Sequence, residues 1–166
     1  MKKCCLSIVA AFFALSLSAQ ENLPFRKGYR GNVEIQTSAL VGKGSFGGMV
    51  AVTTTHGYSF GDGAFVGIGT GYALDLDSQW YLPVFLEAKY NFIDRNTSPF
   101  VEVRAGMLEN PKRFASASVA LAGGADFGRI SVKVGYEFAQ AHQDTESGVT
   151  IQGKSNILFC GFAFNF

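Results

Sequence analysis

Apolar and polar residues alternate with a period of two along most of the chain beyond residue 30. The alternation comes in blocks of about ten residues, separated by clusters of Gly, Asp, Asn, Ser and Pro, which favour turns. Because successive side chains of a strand point to opposite faces, each block predicts one β-strand. None shows the period of about 3.6 residues that an amphipathic helix needs. The eight predicted strands cover residues 31–41, 46–56, 64–74, 82–92, 101–107, 116–127, 130–138 and 156–166.

One face of every block is free of charge, and the charged residues of the blocks all fall on the other face. They are Glu34, Glu87, Lys89, Glu102, Arg104, Asp126, Lys133 and Glu137. An even number of alternating strands of this length is typical of small bacterial outer-membrane barrels. A soluble, lipocalin-like ligand-binding barrel alternates as well, however, with its apolar face turned inward.

Two features favour the membrane barrel over the soluble one. The charged face is rich in small residues such as Gly67, Gly69 and Gly71, which suit the crowded lumen of an eight-stranded barrel. The uncharged face carries aromatic residues near the block ends, for example Tyr72 and Phe127, as the interfacial girdles of membrane barrels require. The predicted fold is therefore all-β, an eight-stranded antiparallel up-and-down transmembrane β-barrel.

The N-terminus predicts export. Lys2 and Lys3 supply a positive region, residues 6–17 an apolar run too short to span a bilayer as a helix, and residues 18–19 small side chains before a cleavage point. We predict a signal peptide over residues 1–19 and a barrel domain over residues 20–166. Cleavage leaves 12 of the 14 basic residues against 13 acidic ones, so the formal charge changes from +1 to −1. Because there is no basic excess, we predict no nucleic-acid partner.

Composition limits the chemistry further. The chain is 48% hydrophobic and only 16% charged, which excludes a disordered polymer. After cleavage Cys160 is the single cysteine, and His56 and His142 are the only histidines, so we predict no disulfide, no metal site and no cofactor. No catalytic residue is predicted. The enzymatic alternative, a lipid-modifying enzyme of the outer leaflet, would need His142 with Ser147 or Ser155.

The last strand carries the one motif of the chain. Phe162, Phe164 and Phe166 alternate up to the C-terminus. This ending resembles the terminal strand of Gram-negative outer-membrane proteins, in which it is the signal for the barrel-assembly machinery. The junction at residues 18–20 resembles export signals of Bacteroidetes. The resemblance implies a small eight-stranded barrel of the cell outer membrane, with membrane lipid and the assembly machinery as its partners.

A periplasmic N-terminus would place alternate connections on the two sides of the membrane. The periplasmic ones are then residues 58–63, 93–98 and 128–129, and the outer ones residues 43–45, 75–79, 109–113 and 139–155. Only the last is predicted to be long, which makes it the candidate for a surface partner. Pro83 lies inside a predicted strand although it has no N–H to donate, so we expect it near a rim, at a bulge or beyond the last paired donor.

The charged face predicts a filled lumen. Glu87 and Lys89 lie on the strand next to Glu102 and Arg104, so opposite charges meet across strands. A structural network of ion pairs is favoured over a gated pore, because an eight-stranded barrel leaves no aqueous channel. The predicted function is a non-enzymatic structural or surface-interaction role.

Overall fold

The computed structural model describes residues 24–41, 48–76, 78–110, 114–144 and 150–166, with the backbone only at residues 114, 141–144 and 150–152. The predicted signal peptide lies outside these residues. Within them the chain forms eight strands, each predicted by a block of alternation. They are β1 Gly28–Val41, β2 Gly48–Ser59, β3 Ala64–Asp75, β4 Trp80–Asn91, β5 Thr97–Asn110, β6 Phe114–Phe127, β7 Ile130–Asp144 and β8 Thr150–Asn165.

The eight strands close into one antiparallel barrel. Each strand pairs with the next along the chain, and β8 returns to pair with β1 from Asn32↔Asn165 to Val41↔Asn156. The eight-stranded up-and-down barrel is therefore confirmed. Closure satisfies the backbone donors and acceptors that an edge strand would leave open. We call the end at which β1 begins and β8 finishes the terminal end, and the opposite one the distal end.

The apolar face points outward and the charged face points inward. Val134 and Leu121 are 65% and 62% exposed on the outer surface, whereas Glu34 and Glu87 are 0% and 1% exposed in the lumen. This is the reverse of a soluble barrel, whose apolar side chains fill the interior. None of the described residues forms a helix long and apolar enough to cross a membrane.

Aromatic pairs lie on the outer surface near both ends of the barrel. Tyr58 and Phe60 meet edge to face beside the β2–β3 turn, at the terminal end, with ring centroids 5.5 Å apart. At the distal end Tyr72 stacks on Trp80 at 5.8 Å. Aromatic side chains with a polar atom suit the two interfaces of a bilayer, and the outer surface between them is apolar.

The long outer connection predicted over residues 139–155 is wrong in its bounds. β7 continues to Asp144 and β8 begins at Thr150, and the two strands stay paired from Ala139↔Ser155 to Asp144↔Thr150. Only residues 145–149 connect them, and these lie outside the described residues. The sequence is polar here, so the alternation that identified the other strands is lost. Two neighbouring strands nevertheless satisfy each other's backbone groups without an apolar face.

Pro83 interrupts one of its two ladders. It is the fourth residue of β4, near the distal rim, and it keeps its register with Leu108 of β5. Toward β3 the pairing stops after Thr70↔Val84 and resumes at Ala73↔Tyr81 in the same register, so there is a gap and no bulge. The missing N–H accounts for the gap. The Thr70 hydroxyl donates to the Pro83 carbonyl at 3.0 Å and partly replaces the lost ladder.

Small residues on the inner face leave room for the larger side chains of the lumen. Substitutions at two adjacent glycines, one inward and one outward, test how tightly the lumen is packed. A Cβ at the inward Gly124 would overlap the Val132 carbonyl oxygen and lie 2.7 Å from the Phe100 ring, whereas one at the outward Gly123 has its nearest neighbour at 3.9 Å. We expect Gly124→Ala to lower the free energy of unfolding by about 1–3 kcal/mol through overpacking. Gly123→Ala should change it by less than about 1 kcal/mol. Urea unfolding in detergent micelles measures both, and equal effects would contradict tight lumen packing.

Candidate functional site

Alternation along every strand delivers one set of side chains to the lumen, and most of the predicted charges meet there. Seven of the eight are buried, and Glu137 is partly exposed. Arg30, which lies at the start of β1, joins them from the terminal end and is 9% exposed. We call the following eight residues the lumen charge cluster: Arg30, Glu34, Glu87, Lys89, Glu102, Arg104, Asp126 and Lys133.

Arg104 on β5 is the centre of the cluster. Its guanidinium contacts three carboxylates, at 2.5 Å from Glu34, 2.9 Å from Glu87 and 2.8 Å from Glu102. It also lies 4.6 Å above the Phe85 ring centre and donates to the Gln36 side-chain oxygen at 3.3 Å. A guanidinium with five donors in a fixed plane is suited to such multiple contacts.

Lys133 on β7 closes the arrangement into a ring. Its ammonium lies 2.8 Å from Glu34 and 2.6 Å from Glu102, and Arg104 contacts both of these carboxylates as well. Glu34 is on β1 and Arg104 on β5, so their ion pair joins opposite walls of the barrel. Only closure of the sheet brings these two residues together.

Lys89 forms a second group nearer the terminal end. The register places it opposite Glu102, but its ammonium pairs with Asp126 on β6 at 2.7 Å. Asp126 also accepts from Asn91 at 2.7 Å and from the Ser131 hydroxyl at 2.5 Å. Lys89 lies 3.8 Å from the centre of the Phe100 ring as well. Of the two cross-strand pairs that the register allows, the structure forms Glu87–Arg104 and not Lys89–Glu102.

Arg30 was missing from the sequence prediction. Its guanidinium donates to the carbonyl of Pro24 at 3.3 Å and lies 5.9 Å from the centre of the Phe65 ring. Pro24 is fully buried, so the segment before β1 folds across the terminal end of the lumen. The alternation that includes Asn32 and Glu34 extends back to Arg30 and would have identified it.

The lumen charge cluster is balanced. It contains four cations and four carboxylates, all of them at most 9% exposed. An isolated charge in such a site costs several kcal/mol, and nearby opposite charges compensate this cost, although one buried oxygen of Glu34 and one of Glu87 accept no hydrogen bond. Seven of the eight residues form ion pairs that hold the walls of the terminal half of the lumen together, and Arg30 donates to the Pro24 carbonyl instead.

The distal half of the lumen is different, because it contains a cavity of about 370 Å³. The floor is formed by Arg104 and Phe85, and the walls mainly by small and apolar side chains. Glu137 lies in the wall and has no hydrogen bond or ion pair to any other described residue. The structure thus separates Glu137 from the eight residues of the lumen charge cluster.

The remaining candidates are the residues considered for a metal site or for an enzyme. Among the described residues no group of three or more His, Cys, Asp or Glu is placed to hold a metal ion. Of the residues considered for an enzyme, Ser147 and the His142 side chain lie outside the described part, and Ser155 lines the cavity. Cys160 is exposed on the outer surface.

The terminal aromatic residues lie along the seam where β8 meets β1. Phe162 and Phe164 are exposed on the outer surface, 51% and 36% respectively. Phe166 exchanges two backbone hydrogen bonds of 2.9 Å with Gly31 and packs edge to face against His56, with ring centroids 6.0 Å apart. The last residue therefore takes part in closing the barrel.

Comparison with known proteins shows the fold and not the family. No family model and no curated protein matches the chain. The crystal structure of Neisserial surface protein A superposes with a TM-score of 0.56 at 11% identity, over 83% of this chain and 97% of that one. A structure from the de novo design of transmembrane β-barrels gives 0.53 at 15% identity, over 82% and 95%. At these identities the likeness shows that the chain has the fold of small transmembrane barrels, and no more.

Proposed function

We propose that the chain is a small barrel of the cell outer membrane whose lumen is closed to ion flow, with a structural or surface-interaction role and no enzymatic one. One observation carries the proposal. The outer surface is apolar between two sets of aromatic residues, while charged side chains are paired inside. Such a surface is unfavourable in water and matches a bilayer.

The closed lumen follows from the lumen charge cluster. Ion pairs from opposite walls cross the lumen at Arg104 and Lys133, and Pro24 with Arg30 covers the terminal end. An ion passing through would have to break several buried pairs at once, each costly to disrupt. The proposed role therefore belongs to the outer surface and the distal end.

The two termini and the distal end suggest the partners of the barrel. Residues 1–19 would direct export, and Phe162, Phe164 and Phe166 would be recognised by the barrel-assembly machinery. At the distal end β8 begins six residues before Asn156, which pairs with Val41, the last described residue of β1. We therefore take residues 139–155 as the contact for a surface partner. Membrane lipid is the partner of the apolar outer face.

One preparation tests both parts of the proposal. Full-length protein expressed in a Gram-negative host is expected in the membrane fraction, resistant to carbonate extraction, and to migrate differently on gels before and after boiling. Release by carbonate without detergent would contradict the membrane location. The same protein in a planar bilayer is expected to show no steady conductance, because the lumen charge cluster blocks the path. A large steady conductance would contradict the closed lumen.

A further inference from the structure

The distal cavity exists because the strands around it carry small side chains on their inner face. Ala51 and Ala73 face each other across β2 and β3, and Ala139 faces Ser118 across β6 and β7. All four line the cavity, together with the Phe159 ring. A volume of about 370 Å³ lies within the range of about 300–1,000 Å³ found for small-molecule sites.

The wall of this cavity holds one carboxylate without a counter-charge. Glu137 lies opposite Ala120 of β6 and Ile157 of β8, so its register neighbours are apolar. Arg104 is the one cation of the described lining, and it already contacts three carboxylates of the lumen charge cluster. In the described part of the chain, Glu137 is therefore an excess negative charge beside apolar surface.

Asp75, the other carboxylate of the lining, differs from Glu137. Its carboxylate accepts the Gln79 backbone N–H at 2.8 Å and the Tyr81 hydroxyl at 3.0 Å. In the described lining, Asp75 therefore accepts two hydrogen bonds and Arg104 forms three ion pairs. The Glu137 carboxylate accepts no hydrogen bond from a described residue. An anionic ligand would find no uncommitted cation there, and an uncharged ligand would leave the Glu137 carboxylate desolvated and unpaired, which is costly.

We propose that the distal cavity is a binding site for a small organic cation with an apolar body. The ammonium group of the ligand pairs with Glu137, and its apolar part packs against the alanines and Phe159. A charge-assisted hydrogen bond in a partly desolvated cavity supplies recognition, and the small side chains supply room. Binding of a ligand in the lumen would be a function in addition to the structural role.

The test is a titration with two probes of the same shape and opposite charge, 4-phenylbutylamine and 4-phenylbutyrate. The full-length chain is held in phosphatidylcholine nanodiscs, and binding is followed through the methyl signals of Ala51, Ala73, Ala120 and Ala139. The amine is expected to shift these signals to saturation, and the carboxylate to leave them unchanged. Equal shifts with both probes, or no saturable shift with the amine, would overturn the proposal.

Two variants and a control locate the site. Glu137→Gln is expected to weaken amine binding at least about tenfold, which is the effect of losing one charged hydrogen bond. The control Glu109→Gln removes the same charge from an exposed, outward position of β5 and should bind like the unaltered protein. Ala51→Leu narrows the cavity and should also weaken binding. The proposal fails if both glutamate variants bind equally, or if Ala51→Leu, folded by the gel-shift criterion, binds undiminished.

Discussion

Replacing Arg104 by methionine is expected to lower the free energy of unfolding by about 3–5 kcal/mol, the usual cost of leaving buried charges without their partner. Arg104 contacts Glu34, Glu87 and Glu102, and none of these carboxylates is more than 3% exposed. Methionine fills similar space but leaves three carboxylates with Lys133 as the nearest remaining cation. Equilibrium urea unfolding in detergent micelles measures the loss.

A control and a second substitution separate charge pairing from general damage. Arg95 is exposed in the β4–β5 turn, so Arg95→Met should change the free energy of unfolding by less than about 0.5 kcal/mol. Adding Glu87→Gln to Arg104→Met restores equal numbers of cations and carboxylates in the cluster, and part of the lost stability should return. If Arg104→Met and Arg95→Met cost the same small amount, the cluster does not stabilise the barrel.

Arginine at position 134 is expected to destabilise the barrel by about 2–4 kcal/mol in a lipid bilayer, the cost of a charge at mid-depth on a lipid-facing surface. Val134 is the middle residue of the outward apolar run on β7 and is 65% exposed. At Ile130, on the same strand and face but beside the terminal turn, arginine reaches the interface and should cost about 0–1 kcal/mol. Urea unfolding from liposomes compares Val134→Arg with Ile130→Arg.

The same pair distinguishes a membrane barrel from a soluble one. If the outer face met water, arginine at either position would be solvated, and both substitutions would be close to neutral. A depth-dependent difference between them therefore supports a bilayer around the barrel. Two small and equal effects would contradict the membrane location and leave the fold unchanged.

Most of the fold could be predicted from local pattern, and the exceptions have physical causes. Eight blocks of alternation became eight strands because an apolar outer face and a polar inner face force a period of two. The extension of β7 and β8 was missed because polar residues such as Gln140, Gln143 and Lys154 predominate in its sequence, although backbone pairing holds it together. Pro83 was recognised as incompatible with an unbroken ladder, but whether a gap or a bulge results depends on the neighbouring strand.

The sequence predicted which charged residues lie in the lumen better than it predicted which of them form ion pairs. Seven of the eight predicted charges lie buried in the lumen, since the period of two determines which residues share a face. Their partners were not predictable, because Lys89 bypasses Glu102, its register neighbour, and pairs with Asp126. Glu137 belonged to the same face in the sequence but lies apart, at a different height in the barrel.

By itself, the sequence determined the number of strands, the residues that share each face and the absence of charge from one of those faces, because all three depend on the two-residue repeat of an extended chain. The alternation left open which face is inside, and the small and aromatic residues favoured the charged one. Only the tertiary structure decided which charges meet. Closing the sheet brings β1 within reach of β5 and β7, so Glu34 binds Arg104 and Lys133 across the lumen. The same closure leaves Glu137 beside a cavity, because the side chains opposite it are too small to fill the space.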